Sequence, residues 1–212
     1  MKDFKYVPKK EVKEEYLILS KIIKDLQIEV SEYFTFQYHF VGSYKDNLIT
    51  YDEKSNTGFD FDVDLEINDE EENYTPFEIR NIVKKSLDKI VRKYGYDFCE
   101  DSTRVLTIKF KNIKKSKILH SCDFALVYYC KDGRKKYIRF NKSNNKYTWE
   151  FQGKGFDNLD DKKEWLKQEG LWKDFRDYYL YKKNINTDKN KKSCSIRAEA
   201  IKEICEKNGY YD

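Results

Sequence analysis

At 212 residues, with 42 Lys and Arg against 38 Asp and Glu and a net charge of +4, the chain can bury a hydrophobic core without covalent staples, and its balance of charge does not mark a general nucleic-acid binder. Five cysteines without Cys-x-x-Cys spacing speak against a zinc ribbon or a disulfide framework. No apolar run approaches a membrane span and the N-terminus lacks a signal-peptide core, so the expectation is a cytoplasmic, reduced protein with no membrane partner.

In chain order, Val12, Tyr16, Leu19, Ile23, Leu26, Val30 and Tyr33 recur at helical spacing, which predicts an amphipathic helix over residues 9 to 33. Phe34, Phe36, Tyr38 and Phe40 then alternate with polar residues, a strand pattern that runs through Val41 into Gly42-Ser43. Glycine permits close backbone approach, and a serine hydroxyl beside amide groups suits a phosphate, although Gly-Ser alone is more often a simple turn.

Residues 59 to 67, Phe-Asp-Phe-Asp-Val-Asp-Leu-Glu-Ile, alternate strictly, so one strand face is acidic and the other apolar. Carboxylates two residues apart on a strand lie close enough to converge on a pair of divalent ions. The competing reading is a solvated or salt-bridged stripe, since like charges at this spacing repel.

Thr75-Pro76-Phe77-Glu78 is a capping box with proline at the first helical position, and Ile79, Ile82, Val83, Leu87, Ile90 and Tyr94 continue the helix to Gly95. Strands are predicted from Arg104 to Phe110 and from Asp123 to Cys130; Lys131-Asp132-Gly133-Arg134 turns the second into Lys135 to Phe140, and Tyr147 to Phe151 adds another. Asp123 opens its run, and three carboxylates from two strands suit a two-metal site. Residues 141 to 146 and 152 to 158 read as loops. Helices follow over Leu159 to Glu169 and Leu171 to Lys183, then a polar connector over Asn184 to Lys192, then a last helix capped by Ser193 or Ser195 and ending at Gly209. The expected class is α+β: a mixed, twisted sheet flanked by helices in residues 1 to 152, with a small C-terminal helical lobe in residues 153 to 212. His39 and His120 read as ordinary strand residues. The lysine-rich stretches 109 to 117, 134 to 136 and 182 to 192 read first as solvated faces.

The order strand, Gly-Ser, strand with Asp-x-Asp, helix, strand, strand with Asp resembles the nucleotidyltransferase superfamily that includes DNA polymerase beta. Val41-Gly42-Ser43-Tyr44 followed by Phe61-Asp62-Val63-Asp64-Leu65 is most similar to the bacterial relatives of cyclic GMP-AMP synthase and oligoadenylate synthase. The resemblance covers roughly residues 10 to 130, with a looser echo in Tyr179 to Asn184 and the final helix. It implies that Asp62 and Asp64 are the paired ligands of two Mg²⁺ or Mn²⁺ ions, and that Asp123 is the third ligand and the activator of the acceptor hydroxyl. Asp60 and Asp62 also fit Asp-x-Asp; the continuing strand Val63-Leu65-Ile67 favours the pair 62 and 64.

The resemblance further implies that Gly42 and Ser43 contact the triphosphate. Many messenger synthases carry Gly-Thr a few residues later, where this chain has Tyr44-Lys45-Asp46-Asn47-Leu48-Ile49-Thr50, which leaves two readings: Lys45 and Thr50 take over those phosphate contacts, or donor binding is altered. Lys182 and Lys183 are candidate cationic partners for the nucleotide, and Arg104 is expected to pair with the acids when no metal is bound. The implied function is transfer of a nucleoside monophosphate from an NTP to a hydroxyl, with release of pyrophosphate, in a second-messenger synthase of bacterial antiviral defence. The chain is short for that class, which leaves as alternatives a minimal transferase that modifies a protein or tRNA, as in toxin–antitoxin systems, and an inactive nucleotide-binding module. The acceptor, whether nucleotide, protein or RNA, and the oligomeric state are open at this level.

Overall fold

The computed structural model describes residues 2–55, 58–69, 72–112, 114, 116–153 and 158–210, arranged as two compact units. The larger comprises Tyr6–Tyr51 and Asn56–Gln152, and the smaller comprises Met1–Lys5, Asp52–Ser55 and Gly153–Asp212. Part of the predicted 152 to 158 loop and parts of the 109 to 117 lysine stretch lie outside the described residues. Among those described, no helix is long and apolar enough to cross a membrane.

In chain order the elements are β1 (Phe4–Tyr6), α1 (Lys9–Val30), β2 (Thr35–Val41), the single-turn α2 (Gly42–Lys45), β3 (Thr50–Asp52), β4 (Phe59–Asn68) and α3 (Pro76–Ile90). A 3₁₀ turn over Val91–Tyr94 leads to β5 (Glu100–Asp101), β6 (Leu106–Asn112), β7 (Lys117–Tyr129), β8 (Lys135–Asn141) and β9 (Lys146–Phe151). Three helices complete the chain: α4 (Leu159–Gln168), α5 (Trp172–Ile185) and α6 (Ser193–Lys207).

The larger unit is built on a mixed sheet in the order β2-β4-β7-β6-β5, with β8 paired to β7 and β9 to β8. β4 and β7 are parallel and the other pairs are antiparallel. Phe61, Val63 and Leu65 of β4 and Cys122, Phe124 and Leu126 of β7 are buried on one face, in a core shared with Leu19, Ile22, Ile23 and Leu26 of α1 and Ile79, Val83 and Leu87 of α3. Magnitudes explain why a strand so rich in acid forms. Two carboxylates about 7 Å apart repel by about 0.6 to 2.4 kcal/mol for effective dielectrics between water and the protein surface, whereas each buried apolar side chain contributes about 1.5 to 3 kcal/mol. The apolar face wins.

α3 starts as predicted: Thr75 Oγ1 accepts the Glu78 amide at 3.3 Å while Glu78 accepts the Thr75 amide at 2.8 Å, and the chain leaves the following turn through Gly95 at φ +81°. Its Arg80 is buried and binds Asp101 Oδ1 from two nitrogens at 2.8 and 2.6 Å, and it also donates to the carbonyls of Ser102, Val105 and Ile138. One guanidinium thus ties α3 to the turn after β5 and to β8.

Other expectations shift. α1 closes at Val30, three residues early, with Ser31 still in right-handed geometry. β7 begins at Lys117, which places Asp123 in its interior rather than at its start. β1, β3 and β5 were not foreseen; each is only two or three residues long.

In the smaller unit, Leu166, Phe175, Tyr179, Ile196, Ala200, Ile201 and Cys205 are buried among α4, α5 and α6. Neither Ser193 nor Ser195 caps α6. Lys192 is the N-cap, and the amides of Ser195 and Ile196 bond its carbonyl, so the first turn closes on backbone alone.

Candidate active site

The sheet register assembles the acids. Asp62 lies directly beside Asp123 in the parallel β4–β7 ladder, and Asp60, Asp64 and Glu66 share their face because successive side chains alternate. From β2, Val41 pairs with Asp62 and His39 with Asp64, which brings the β2–α2 junction against the same row. Gly42 has φ +64°, and a Cβ placed there would run into the Asp62 carboxylate. Glycine is therefore required twice, for its backbone conformation and for the closeness of the Asp62 oxygens. Ser43 and Tyr44 follow in the single turn of α2, whose loop closes by Leu48 N–H donating to the Ser43 carbonyl at 2.8 Å. Lys45 ends that turn, exposed, and Thr50 opens β3.

Each acid has its own surroundings. Asp123 accepts from Thr107 Oγ1 at 2.6 Å. Burial raises its pKa above the usual carboxylate value, while the Thr107 hydrogen bond and the Lys109 charge act against that rise. Asp60, exposed at the strand start, accepts from Ser121 Oγ. Asp64 is almost wholly buried, and its Oδ2 accepts from both Tyr129 Oη and Lys135 Nζ, each at 2.8 Å. Burial and the Asp64 contact hold the Tyr129 phenol well above its usual range. Glu66 pairs with His39 Nε2 at 3.0 Å, and the His39 ring meets Tyr129 edge-on at 5.9 Å.

The cation expected on the acids was Arg104, but its guanidinium lies over the Tyr137 ring at 5.2 Å and Lys135 holds Asp64 instead. Arg104 precedes β6, whereas Lys135 opens β8 opposite Tyr129, on the acidic side of the sheet. Tyr129, Lys135 and Thr107 were not singled out from sequence. The signal was present in the Lys131-Asp132-Gly133-Arg134 turn, which brings residues 129 and 135 face to face.

His120 lies behind the acidic face. It is buried, and its Nε2 sits 2.7 Å from Tyr96 Oη and 3.0 Å from Glu15 Oε2. The Glu15 contact has the geometry of an ion pair, yet burial lowers the His120 pKa to about 4 and, with the charges of Glu11 and Glu14, raises that of Glu15. Both shifts favour neutral forms, so the contact is a hydrogen bond around an uncharged imidazole.

Lys182 and Lys183 are engaged within the smaller unit. Lys182 contacts Glu203 at 2.6 Å and Glu199 at 3.3 Å, while Lys183 is buried with its ammonium 4.1 Å over the Phe4 ring.

The donor set suits a hard divalent ion: Asp62, Asp64 and Asp123 offer only carboxylate oxygens. Among the described residues, no three His, Cys, Asp or Glu side chains close on one point as a ready-made cage. That is compatible with Mg²⁺, which is commonly held by one or two carboxylates and completed by substrate phosphates and water.

No family model matches the sequence, and no curated protein matches it. Among solved structures, DncV of Vibrio cholerae in its 3′-deoxy ATP bound form is similar, with a TM-score of 0.61 at 14% identity over 98% of this chain and 54% of that one. CdnC of E. coli MS115-1 with ATP gives 0.54 at 14% identity over 97% and 63%. The CdnE cyclic dinucleotide synthase of Elizabethkingia meningoseptica with GTP and Apcpp gives 0.50 at 13% identity over 86% and 66%. The chain spans 54 to 66% of the length of these proteins. The likeness is one of fold, the polymerase beta-like nucleotidyltransferase fold in the form these bacterial proteins share.

Proposed function

We propose that the protein is a metal-dependent nucleotidyltransferase that moves a nucleoside monophosphate from an NTP to a hydroxyl acceptor and releases pyrophosphate, and that it serves in nucleotide second-messenger synthesis. The observation that carries this reading is the juxtaposition of Asp62 with Asp123 across the β4–β7 ladder, with Asp64 on the same face and the Gly42 backbone closed against Asp62. The nucleotides bound by the structural neighbours support an NTP as donor.

In this mechanism Asp62 and Asp64 would hold the metal ions, with Asp123 on the acceptor side. Bound there, the ions would lower the pKa of the attacking hydroxyl and neutralise charge on the triphosphate. Asp123 takes the proton from the acceptor hydroxyl. Thr107 fixes one of its oxygens, which orients the carboxylate. Gly42 and Ser43 bring backbone and hydroxyl to the phosphates, and exposed Lys45 supplies a cation near them. Lys182, held by two glutamates, and Lys183, buried, have no step in this scheme.

The test is incubation of the purified chain with all four labelled NTPs and Mg²⁺ or Mn²⁺, with and without cellular RNA and protein, analysed by chromatography and mass spectrometry. Asp62→Asn and Asp123→Asn should each lower product formation by at least about a thousandfold with little change in thermal stability. NTP binding without turnover under every condition would overturn the assignment in favour of a nucleotide-binding module.

A further inference from the structure

Both donors to Asp64 come from one hairpin. Tyr129 is the last residue of β7 and Lys135 the first of β8, they face each other in the ladder, and the turn between them closes through Cys130 N–H on the Arg134 carbonyl at 2.8 Å. A carboxylate oxygen has two in-plane lone pairs, and on Asp64 Oδ2 the Tyr129 hydroxyl and the Lys135 ammonium occupy both. The pair is not an ordinary surface ion pair, since the Asp64 side chain is 4% exposed and that of Lys135 24%.

A hard divalent ion binds carboxylate oxygen at roughly 2.0 to 2.6 Å. On Oδ2 it would lie against an ammonium that is itself 2.8 Å from the same atom, where little water screens their repulsion. We propose that Lys135 is a tethered counter-ion: it neutralises Asp64 in the metal-free protein, is displaced when the divalent ion arrives, and so sets the affinity of the site for metal. The proposal rests on the reading of Asp62, Asp64 and Asp123 as the metal-binding row. Tyr129 is the partner that stays. It is uncharged, and the edge-on His39 ring packs against it, so it keeps Asp64 oriented while the lysine leaves. Lys135 is thus a positioning residue, and its effect is on metal loading rather than on the bond-making step.

The test is titration of the full chain with Mn²⁺, followed by electron paramagnetic resonance of the free ion, beside melting curves with and without Mn²⁺. Lys135→Gln removes the charge and keeps a hydrogen-bond donor; Lys135→Met removes both. Lys136→Gln controls for loss of charge from the same strand, since Lys136 lies over the Phe151 ring at 5.0 Å. Both Lys135 variants should bind Mn²⁺ on the order of tenfold more tightly than wild type, and Lys136→Gln should bind as wild type does. Lys135→Met should also melt lower without metal and gain more from Mn²⁺, because it leaves a buried carboxylate short of a partner. Unchanged or weaker Mn²⁺ binding in Lys135→Gln, with wild type binding normally, overturns the proposal and makes Lys135 a fixed structural partner. If wild type and both variants bind no Mn²⁺, or if Asp64→Asn binds like wild type, the metal assignment itself fails and this inference falls with it.

Discussion

Gly42 is the residue on which the closeness of backbone and acid depends. Alanine there would need left-handed geometry, at a cost of about 1 to 2 kcal/mol, and would press its methyl group into the Asp62 carboxylate. Gly42→Ala should lower stability by about that amount in urea unfolding and reduce turnover by more than about tenfold, because the displaced group is a proposed metal ligand. His120 gives a different test. Its folded pKa of about 4 lies below the ordinary 6.5, so between those values the unfolded chain binds a proton that the folded chain does not. Its contribution is complete above pH 6.5 and is lost as pH falls through about 4; the shift corresponds to on the order of 3 kcal/mol for this buried ring. Glu15, whose pKa is raised, acts in the opposite sense, with its contribution complete below 4.5 and lost as pH rises. NMR of the His120 ring separates the two: its resonances should show a neutral imidazole from neutral pH down to about pH 5.

Among the elements, β4 and α3 were legible in the sequence because their signals are local. Strict alternation and a capping box each need only a few neighbouring residues to read. β7 was legible only in its C-terminal half, since Lys117 to Cys122 mixes polar and apolar residues and His120 and Ser121 are buried through tertiary partners. The acidic row was readable as far as Asp62, Asp64 and Asp123. The partners that hold it, Thr107, Tyr129 and Lys135, emerge only once strands pair across the sheet. Arg80 shows how one side chain on a legible element serves elements far away in sequence. Arg80→Ala should lose about 3 to 5 kcal/mol in urea unfolding, because it strands buried carbonyls and leaves Asp101 without its cation. A loss of under about 1 kcal/mol would mean that water replaces the guanidinium at little cost.

At the scale of the whole chain, the larger unit holds both the proposed acids, on its sheet, and the glycine turn that follows β2. Asp62 and Asp123 are adjacent in space but about sixty residues apart in sequence, and contacts of that separation are slow to form because the loop must close before it is rewarded. During synthesis the segment through β4 emerges first, with one edge of that strand still waiting for β7. Until β7 arrives, Asp62 and Asp64 lack the neighbour that completes them, while Phe61, Val63 and Leu65 lack the strand that covers their backbone edge. A nascent or truncated chain ending before β7 therefore lacks the assembled acidic row and is prone to self-association, so the same pairing that sets Asp62 beside Asp123 also decides when the chain becomes safe to release.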